Sequence, residues 1–407
     1  MCIRDRCPEN LARRPNTCDS VVINKPVSKI LILGGGSAGW LTAGVIAAEH
    51  GDRLQVTLVE SPDVPAIGVG EGTWPSMRET LRRMGVAERD FIRECDASFK
   101  QGSKFIGWRT GGADEFYYHP FSIPQGFFEV NSVPCWQAER AHQSFASAVC
   151  PQERVSEGGL APKQLATPEY AAVVNYAYHL DAAKFGHFLR RHCVEKLGVI
   201  HIPDHVTAVK RAGDGDIAAL LTRAHGELDA DLFIDCSGSR SMLLAGELGR
   251  GRVSRRSVLF NDRALAVQVP YADAQQPIAS ATLSTAQQAG WVWDIGLPTR
   301  RGVGYVYSSA HSTDEDAERE LRRYLCGSMS GADAESAELR QLKFEPGHLE
   351  SFWHRNSVAV GMAAGFIEPL EASALALVEM SAALIRDDMP ADRLGMDLAA
   401  QRFNQRF

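Results

Sequence analysis

Apolar positions along the chain fall into two periods, one near 2 and one near 3.6. Lys29-Ile-Leu-Ile-Leu-Gly34 is a short unbroken apolar run, as expected of a strand covered on both faces. The turn Gly34-Gly-Gly36-Ser-Ala-Gly39 follows, then a helical stretch from about Trp40 to His50 and a second strand over Leu54–Glu60. Strand, glycine turn, helix and strand form a right-handed crossover unit of a parallel sheet. Residues 77–96 read as helix in two pieces, broken near Gly85. Between Asp181 and Leu197 the residues Phe185, Phe188, Leu189 and Cys193 share one helical face. Asp181 is placed to cap that helix and Gly198 to close it.

From His205 to Gly238 the pattern predicts three meandering strands, turning at Gly213–Asp216 and around Gly226, the last of which, Asp231–Gly238, returns to the core. Residues 258–310 are strand-rich, a charged helix covers 313–326, and a strand at Ser357–Gly361 precedes a helix over 373–387. The predicted class is α/β, with a parallel dinucleotide-binding sheet and a strand-rich region beside it. Residues 1–27 are polar and aperiodic, and read as a disordered or artefactual extension. Residues 28–390 form the expected core, with a substrate region inserted at about 97–180 and 258–310. After Pro390, the apolar positions Leu394, Leu398, Phe403 and Phe407 suggest that 391–407 begin a C-terminal helical segment that is cut short.

Composition narrows the functional classes. The chain has 407 residues and a net charge of −7, which argues against nucleic acid or anionic membranes as partners. No apolar run approaches the ~20 residues of a membrane span. Nine cysteines lie scattered with no paired or metal-ligand spacing, which suits reduced thiols in a cytoplasmic protein.

The glycine turn carries the first chemistry. Gly34 permits the tight turn, Gly36 lets the backbone approach a pyrophosphate, and Gly39 lets helix and strand pack closely. Ser37, Ala38 and Gly39 then place free helix N–H groups toward the anion. Glu60, twenty-one residues past Gly39 at a strand end, is placed to accept from ribose hydroxyls. Asp235-Cys-Ser-Gly238 and Val360-Gly-Met-Ala-Ala-Gly365 are small-residue turns after strands, where further parts of a long cofactor could lie. No second Gly-x-Gly-x-x-Gly unit for a nicotinamide is visible.

Trp291 and Trp293, one position apart on a strand, share one face and make a flat aromatic wall. For an arbitrary Trp pair a core strand is the commoner reading. Here the run Trp-Val-Trp-Asp-Ile-Gly296 resembles the Trp-x-Trp-x-Ile-Pro signature of flavin-dependent tryptophan halogenases, with Gly296 where that family has proline. Other stretches resemble the same family in the same order. They are Ile67-Gly-Val-Gly-Glu-Gly-Thr-Trp-Pro75, Ala97–Trp108, Tyr118-His-Pro-Phe121 and Phe366-Ile-Glu-Pro-Leu-Glu-Ala-Ser-Ala374.

The resemblance implies an FAD-binding Rossmann-like fold of the glutathione-reductase and hydroxylase type. It implies FAD, used as FADH2 from a separate flavin reductase, together with O2 and a chloride or bromide ion. Gly70 and Glu71 would lie along the flavin, and Asp235, Gly238, Gly361 and Gly365 would supply its later contacts. Lys100 matches the family's active-site lysine and Glu371 its glutamate. Backbone N–H groups near Ser373 and Ala374 would hold the halide. His119 and Phe121 would sandwich a small aromatic, with Trp291 and Trp293 separating it from the flavin. A flavin hydroperoxide would oxidise halide to hypohalous acid, which Lys100 relays to tryptophan, indole or another electron-rich ring.

Each assignment has a plainer counterpart. Lys100 and Lys104 are both able to be solvated surface charges, and Glu368 competes with Glu371. An FAD-dependent aromatic hydroxylase with a structural Lys100, or a truncated flavin-binding protein without activity, are the competing readings.

Overall fold

The computed structural model describes residues 25–64, 70–112, 114–273 and 275–407. The chain runs through β1 (Lys29–Leu33), α1 (Ser37–His50), β2 (Gln55–Glu60), β3 (Gly70–Gly72), α2 (Ser76–Arg83) and α3 (Glu88–Glu94). Then come β4 (Ser98–Lys100), β5 (Gly102–Ile106), β6 (Phe116–Pro120), β7 (Ala177–Asp181), α4 (Ala182–Leu197) and β8 (Ile200–Pro203). Strands β9 (Val206–Arg211), β10 (Ile217–Thr222), β11 (Glu227–Asp229), β12 (Leu232–Asp235) and β13 (Arg252–Ser254) lead into β14 (Arg263–Pro270), β15 (Thr282–Gln287), β16 (Gly290–Gly296) and β17 (Arg300–Tyr307). The chain closes with α5 (Asp314–Leu325), β18 (Arg340–Lys343), β19 (Gly347–Leu349), β20 (Trp353–His354), β21 (Ser357–Ala359), β22 (Gly365–Phe366), α6 (Ser373–Asp387) and α7 (Arg393–Arg406). Short helices also lie within 133–157 and 331–336.

The central sheet has the order β20-β21-β12-β1-β2-β8, parallel except at its β20 edge. Its strands are apolar on both faces because each face has its own core. On one side Ile30, Ile32, Val56, Leu58, Leu232 and Ile234 pack with Trp40, Leu41 and Phe185. On the other, Leu31, Leu33, Val59 and Phe233 pack with Leu220, Leu243 and Leu244. The period of two along each strand deals its side chains alternately into the two layers.

The 205–238 stretch departs from its predicted form. β9, β10 and β11 make a separate antiparallel sheet, and the apolar fourth strand β12 leaves it to join the central one. Alternation reveals strands but not which sheet takes them. At the N-terminus, Lys25, Pro26 and Val27 are tied down, although they fell within the expected extension. Lys25 pairs with Asp231, Pro26 bridges Asp392, and Val27 is buried; residues 1–24 lie outside the described part. At the other end α7 buries Met396, Ala399, Ala400 and Phe403 and leaves Leu394 and Leu398 exposed, so its inner face is rotated from the one expected.

The strand-rich region forms a seven-stranded sheet of order β18-β14-β17-β16-β15-β5-β6. A small sheet of order β3-β7-β4 bridges it to the α1 layer. Asp181 ends β7 and caps α4 as predicted, its carboxylate accepting from Ala183 and Lys184 N–H at 3.0 Å, and Gly198 closes the helix at φ 69°. No helix among the described residues is long and apolar enough to cross a membrane.

Helix α6 buries a carboxyl group. Glu379 accepts from Thr80 Oγ1 at 2.6 Å and Ser76 Oγ at 3.3 Å, and burial pushes its pKa from 4.5 up to about 7. Between those values the folded chain holds a proton that the unfolded chain has released, so stability falls as pH rises through the window. Glu379→Gln is therefore expected to raise stability at pH 8 by on the order of 2 kcal/mol and to be near neutral at pH 4.5. Thermal melts at the two pH values check this; an equal effect at both would discard it.

Candidate active site

The glycine turn between β1 and α1 leaves a cradle that side chains would fill. Gly34 has φ +113°, and a Cβ there would stand 2.2 Å from the Cys236 carbonyl oxygen of the neighbouring strand's end. At Gly39 a Cβ would stand 1.9 Å from the Gly34 carbonyl oxygen. Gly36 differs: nothing lies within 4 Å of its Cβ position. It precedes α1 with no side-chain cap, so the first-turn N–H groups at Ser37, Ala38 and Gly39 point into that space without intrahelical partners. This is an anion site by construction.

Glu60 ends β2 beside it. Its carboxylate occupies the space over Gly35, Oε2 being 1.5 Å from where a Cβ at Gly35 would sit, and Oε1 is 2.8 Å from His201 Nε2. Gly35 was not singled out from sequence, yet it must lack a side chain for Glu60 to reach the cradle. The turn after β12 is built by Asp235, whose Oδ1 accepts from Ser237 N–H and Oγ while Oδ2 accepts from the N–H groups of Leu243 and Leu244. With both oxygens engaged, Asp235 shapes the turn, and Gly238 (φ +71°) carries the backbone past the cradle. Gly361 (φ +66°) lets its turn close on Ala38 of α1 and Val378 of α6. Gly365 lies against the Gly347 carbonyl within the β13-β19-β22 sheet.

A second site lies across the small sheet. Lys100 ends β4 with 1% of its surface exposed, its Nζ 5.4 Å from the centre of the Phe121 ring. That Nζ reaches to 3.0 Å from the Cβ position of Gly72, and the Ala372 Cβ is 3.1 Å from the same point. Burial depresses the lysine pKa from 10.5 to about 8, against the pull of the Glu371 and Glu71 charges. Burial raises Glu71 to about 7, with the Lys100 charge opposing. Lys104, the competing lysine, instead pairs with Glu157 at 2.7 Å and sits over Phe116.

Glu371 lies on a turn just before α6, partly exposed, its carboxylate 3.3 Å from His119 Nδ1. That contact holds the His119 pKa above its ordinary value. Trp74 Nε1 donates to the Glu371 carbonyl at 2.8 Å. Ala372 takes a left-handed φ of +52° and α6 starts without a side-chain cap, so the N–H groups of Ser373 and Ala374 stand free of intrahelical partners. Lys100, Phe121, His119, Glu371 and the α6 N-terminus thus converge from three separated stretches.

Glu368 is held by neighbouring side chains. It accepts from Trp291 Nε1 and Asn261 Nδ2, both at 2.7 Å. Trp291 is 3% exposed, and its ring meets Trp293 edge-on, at 62° and 6.4 Å. The pair is therefore a cornered block and not a flat wall; the bare Gly304 admits the Trp293 ring and sets its tilt.

The family profile described as tryptophan halogenase matches residues 29–407. This chain belongs to that family. It is 34% identical to tryptophan 7-halogenase RebH of Lentzea aerocolonigenes, covering 93% of this chain and 73% of RebH. The crystal structure of a tryptophan halogenase from Shewanella frigidimarina is 53% identical, with a TM-score of 0.90, over 94% of this chain and 74% of that one. The tryptophan 6-halogenase SttH of Streptomyces toxytricini is 32% identical, with a TM-score of 0.86, over 93% and 75%.

This family member brings the sequence-derived residues into two groups. Gly34, Gly36, Ser37, Ala38, Gly39 and Glu60 line the cradle between β1, α1 and β2. Lys100, His119, Phe121, Glu371, Ser373 and Ala374 surround the second site, while Trp291 braces the 368–371 turn from behind. Gly70 packs against Ile295 and Gly302, and Glu71 follows it toward Lys100. Residues 67–69 of the loop expected along the flavin lie outside the described residues.

Proposed function

We propose that this chain halogenates an electron-rich aromatic such as tryptophan or indole, with Lys100 handing over the electrophile. The observation that carries this reading is an enclosed amine flanked by Phe121 and the Glu371 turn. A lysine serving only as a surface charge would not be buried at the cost of its pKa. The open space at Gly36, the uncapped start of α1 and Glu60 fit the pyrophosphate and ribose of FAD. Bound there in its reduced form, FAD supplies with O2 the oxidising power that turns halide into hypohalous acid. A separate flavin reductase is the implied source of the reduced cofactor.

The protein's own groups then divide the work. The N–H groups of Ser373 and Ala374 offer an anion site for chloride or bromide. Helix α6, which begins there, meets α1 at Ala38 through the bare Gly361, so halide site and cradle share one rigid support. The buried Lys100 ammonium donates a hydrogen bond to the oxygen of the electrophile, polarising the O–halogen bond. His119 and Phe121 offer aromatic faces for the substrate ring. Glu371, set by His119, accepts the proton released when the ring regains aromaticity.

Mass spectrometry of indole or tryptophan incubated with FAD, a reductase, O2 and bromide tests the reading. The expected product carries the bromine isotope pattern. A hydroxylated product formed without halide would replace this reading with the hydroxylase one. Because the donor is the ammonium, single-turnover transfer is expected to be flat up to about pH 8 and to fall about tenfold per pH unit above it. A rate rising through pH 8 would assign the attack to the neutral amine.

A further inference from the structure

The sheet face that carries Lys100 also carries a histidine that the foregoing mechanism does not use. In the order β3-β7-β4, Lys100 pairs with Ala177 of the middle strand, while its amine ends over Gly72 on the far strand. The lysine side chain therefore crosses β7. The β7 residue opposite Gly72, and equally opposite Ser98, is His179. Residues two apart in a strand share a face, so Ala177 and His179 lie along the lysine stem and tip.

His179 is fully buried. Its Nε2 is 2.9 Å from Thr282 Oγ1, and its Nδ1 has no hydrogen-bond partner among the described residues. A buried ring nitrogen left unpaired requires an explanation. Burial and the neighbouring Lys100 charge press its pKa well below the ordinary value, so the ring stays neutral. When Nε2–H donates to Thr282, Nδ1 is a bare acceptor. Gly72, directly across, has no side chain, and the Lys100 Nζ ends 3.0 Å from where its Cβ would stand, so the amine and this nitrogen share one face of the sheet.

We propose that His179 is a positioning residue for halogen transfer: Nδ1 accepts, through one bridging water, a hydrogen bond that originates at the Lys100 amine. The water has a polar partner at each end, as a buried water requires. Anchoring one N–H of Lys100 this way turns another toward the arriving electrophile. A lysine tip without that anchor samples several rotamers, and hypohalous acid escapes more often than it is transferred.

The inference rests on the halogenase reading, and three substitutions separate it from a structural role. His179→Asn keeps a polar atom where Nδ1 stands but cannot reach Thr282. His179→Gln reaches Thr282 but leaves the Nδ1 position empty, and His179→Leu removes both. The quantity measured is the fraction of reduced flavin consumed that appears as halogenated product, with free hypohalite trapped by a dione in solution. His179→Asn is expected to stay within about threefold of the parent, while the Gln and Leu variants lose about tenfold or more and release hypohalite. If His179→Gln is active and His179→Asn behaves like Leu, the ring merely braces Thr282 and the proposal is overturned. Equal coupling in all three variants overturns it as well.

A measurement on the flavin-free parent protein guards against variants that do not fold. The 15N resonances of His179 are expected to show an unprotonated Nδ1 and a protonated Nε2 throughout pH 6–9. A protonated Nδ1 rules the proposal out. A parent enzyme that binds flavin yet makes no halogenated product sinks the halogenase reading, and this inference with it.

Discussion

Lys100→Ala is expected to cut halogenated product by on the order of 10³–10⁴-fold while flavin binding survives. The lysine is enclosed, and its burial opposes its own charge, so the fold gains little from keeping it there. Replacing it should therefore leave the melting temperature unchanged or raise it, and Lys100→Met, which keeps the volume, should be at least as stable. Lys104→Ala is the internal control. That residue holds only a partly exposed pair with Glu157, so its loss is expected to change turnover less than about threefold. Product quantified by mass spectrometry, alongside flavin titration and thermal melts, decides the matter. Residual halogenation near the parent level in Lys100→Ala would remove the relay from the mechanism.

Two alanines placed two positions apart in the glycine turn should fail for opposite reasons. At Gly34 the added Cβ would meet the Cys236 carbonyl at 2.2 Å, on backbone whose φ of +113° L side chains rarely adopt. Strain and overpacking together cost roughly 3–5 kcal/mol, a large part of a total stability of about 5–15 kcal/mol. Gly34→Ala is thus expected to lower the melting temperature by roughly 5–15 °C or to prevent soluble expression. Gly36→Ala meets no protein atom within 4 Å, so the flavin-free protein should melt as the parent does. On the proposed reading its methyl group instead occupies the ground of the pyrophosphate, and flavin affinity should fall by at least about a hundredfold. Parent-like flavin binding by Gly36→Ala would show that the space has another purpose.

Those glycines also mark what a one-dimensional reading could reach. The crossover unit, the Asp181 cap, the Gly198 stop and the helix from residue 373 were legible because each is written in a few adjacent residues. Lys100 and Glu371 were legible as motif positions, but what Lys104 and Glu368 bind instead is visible only in three dimensions. Lys104 found Glu157, fifty-three residues on, and Glu368 found the Trp291 indole. His179 went unnoticed because its meaning depends on β7 lying between β3 and β4, a pairing of segments roughly a hundred residues apart. Its signal was faint but present: a polar residue amid the aromatic and apolar run Tyr176-Ala-Tyr-His-Leu180. The tilt of the Trp pair was equally out of reach, since the bare surface of Gly304 on the adjacent strand sets it.

The turn from Glu368 to Ala372 hangs from two indoles. Trp291 grips one foot through the Glu368 carboxylate, and Trp74 grips the other through the Glu371 carbonyl. An arch fixed at both feet can change what it carries without sagging. On the proposed reading, variation aimed at new substrates can accordingly be concentrated at His119 and Phe121. Loosening either tryptophan would instead let the crown drop, and the anion seat at the head of the following helix would drop with it.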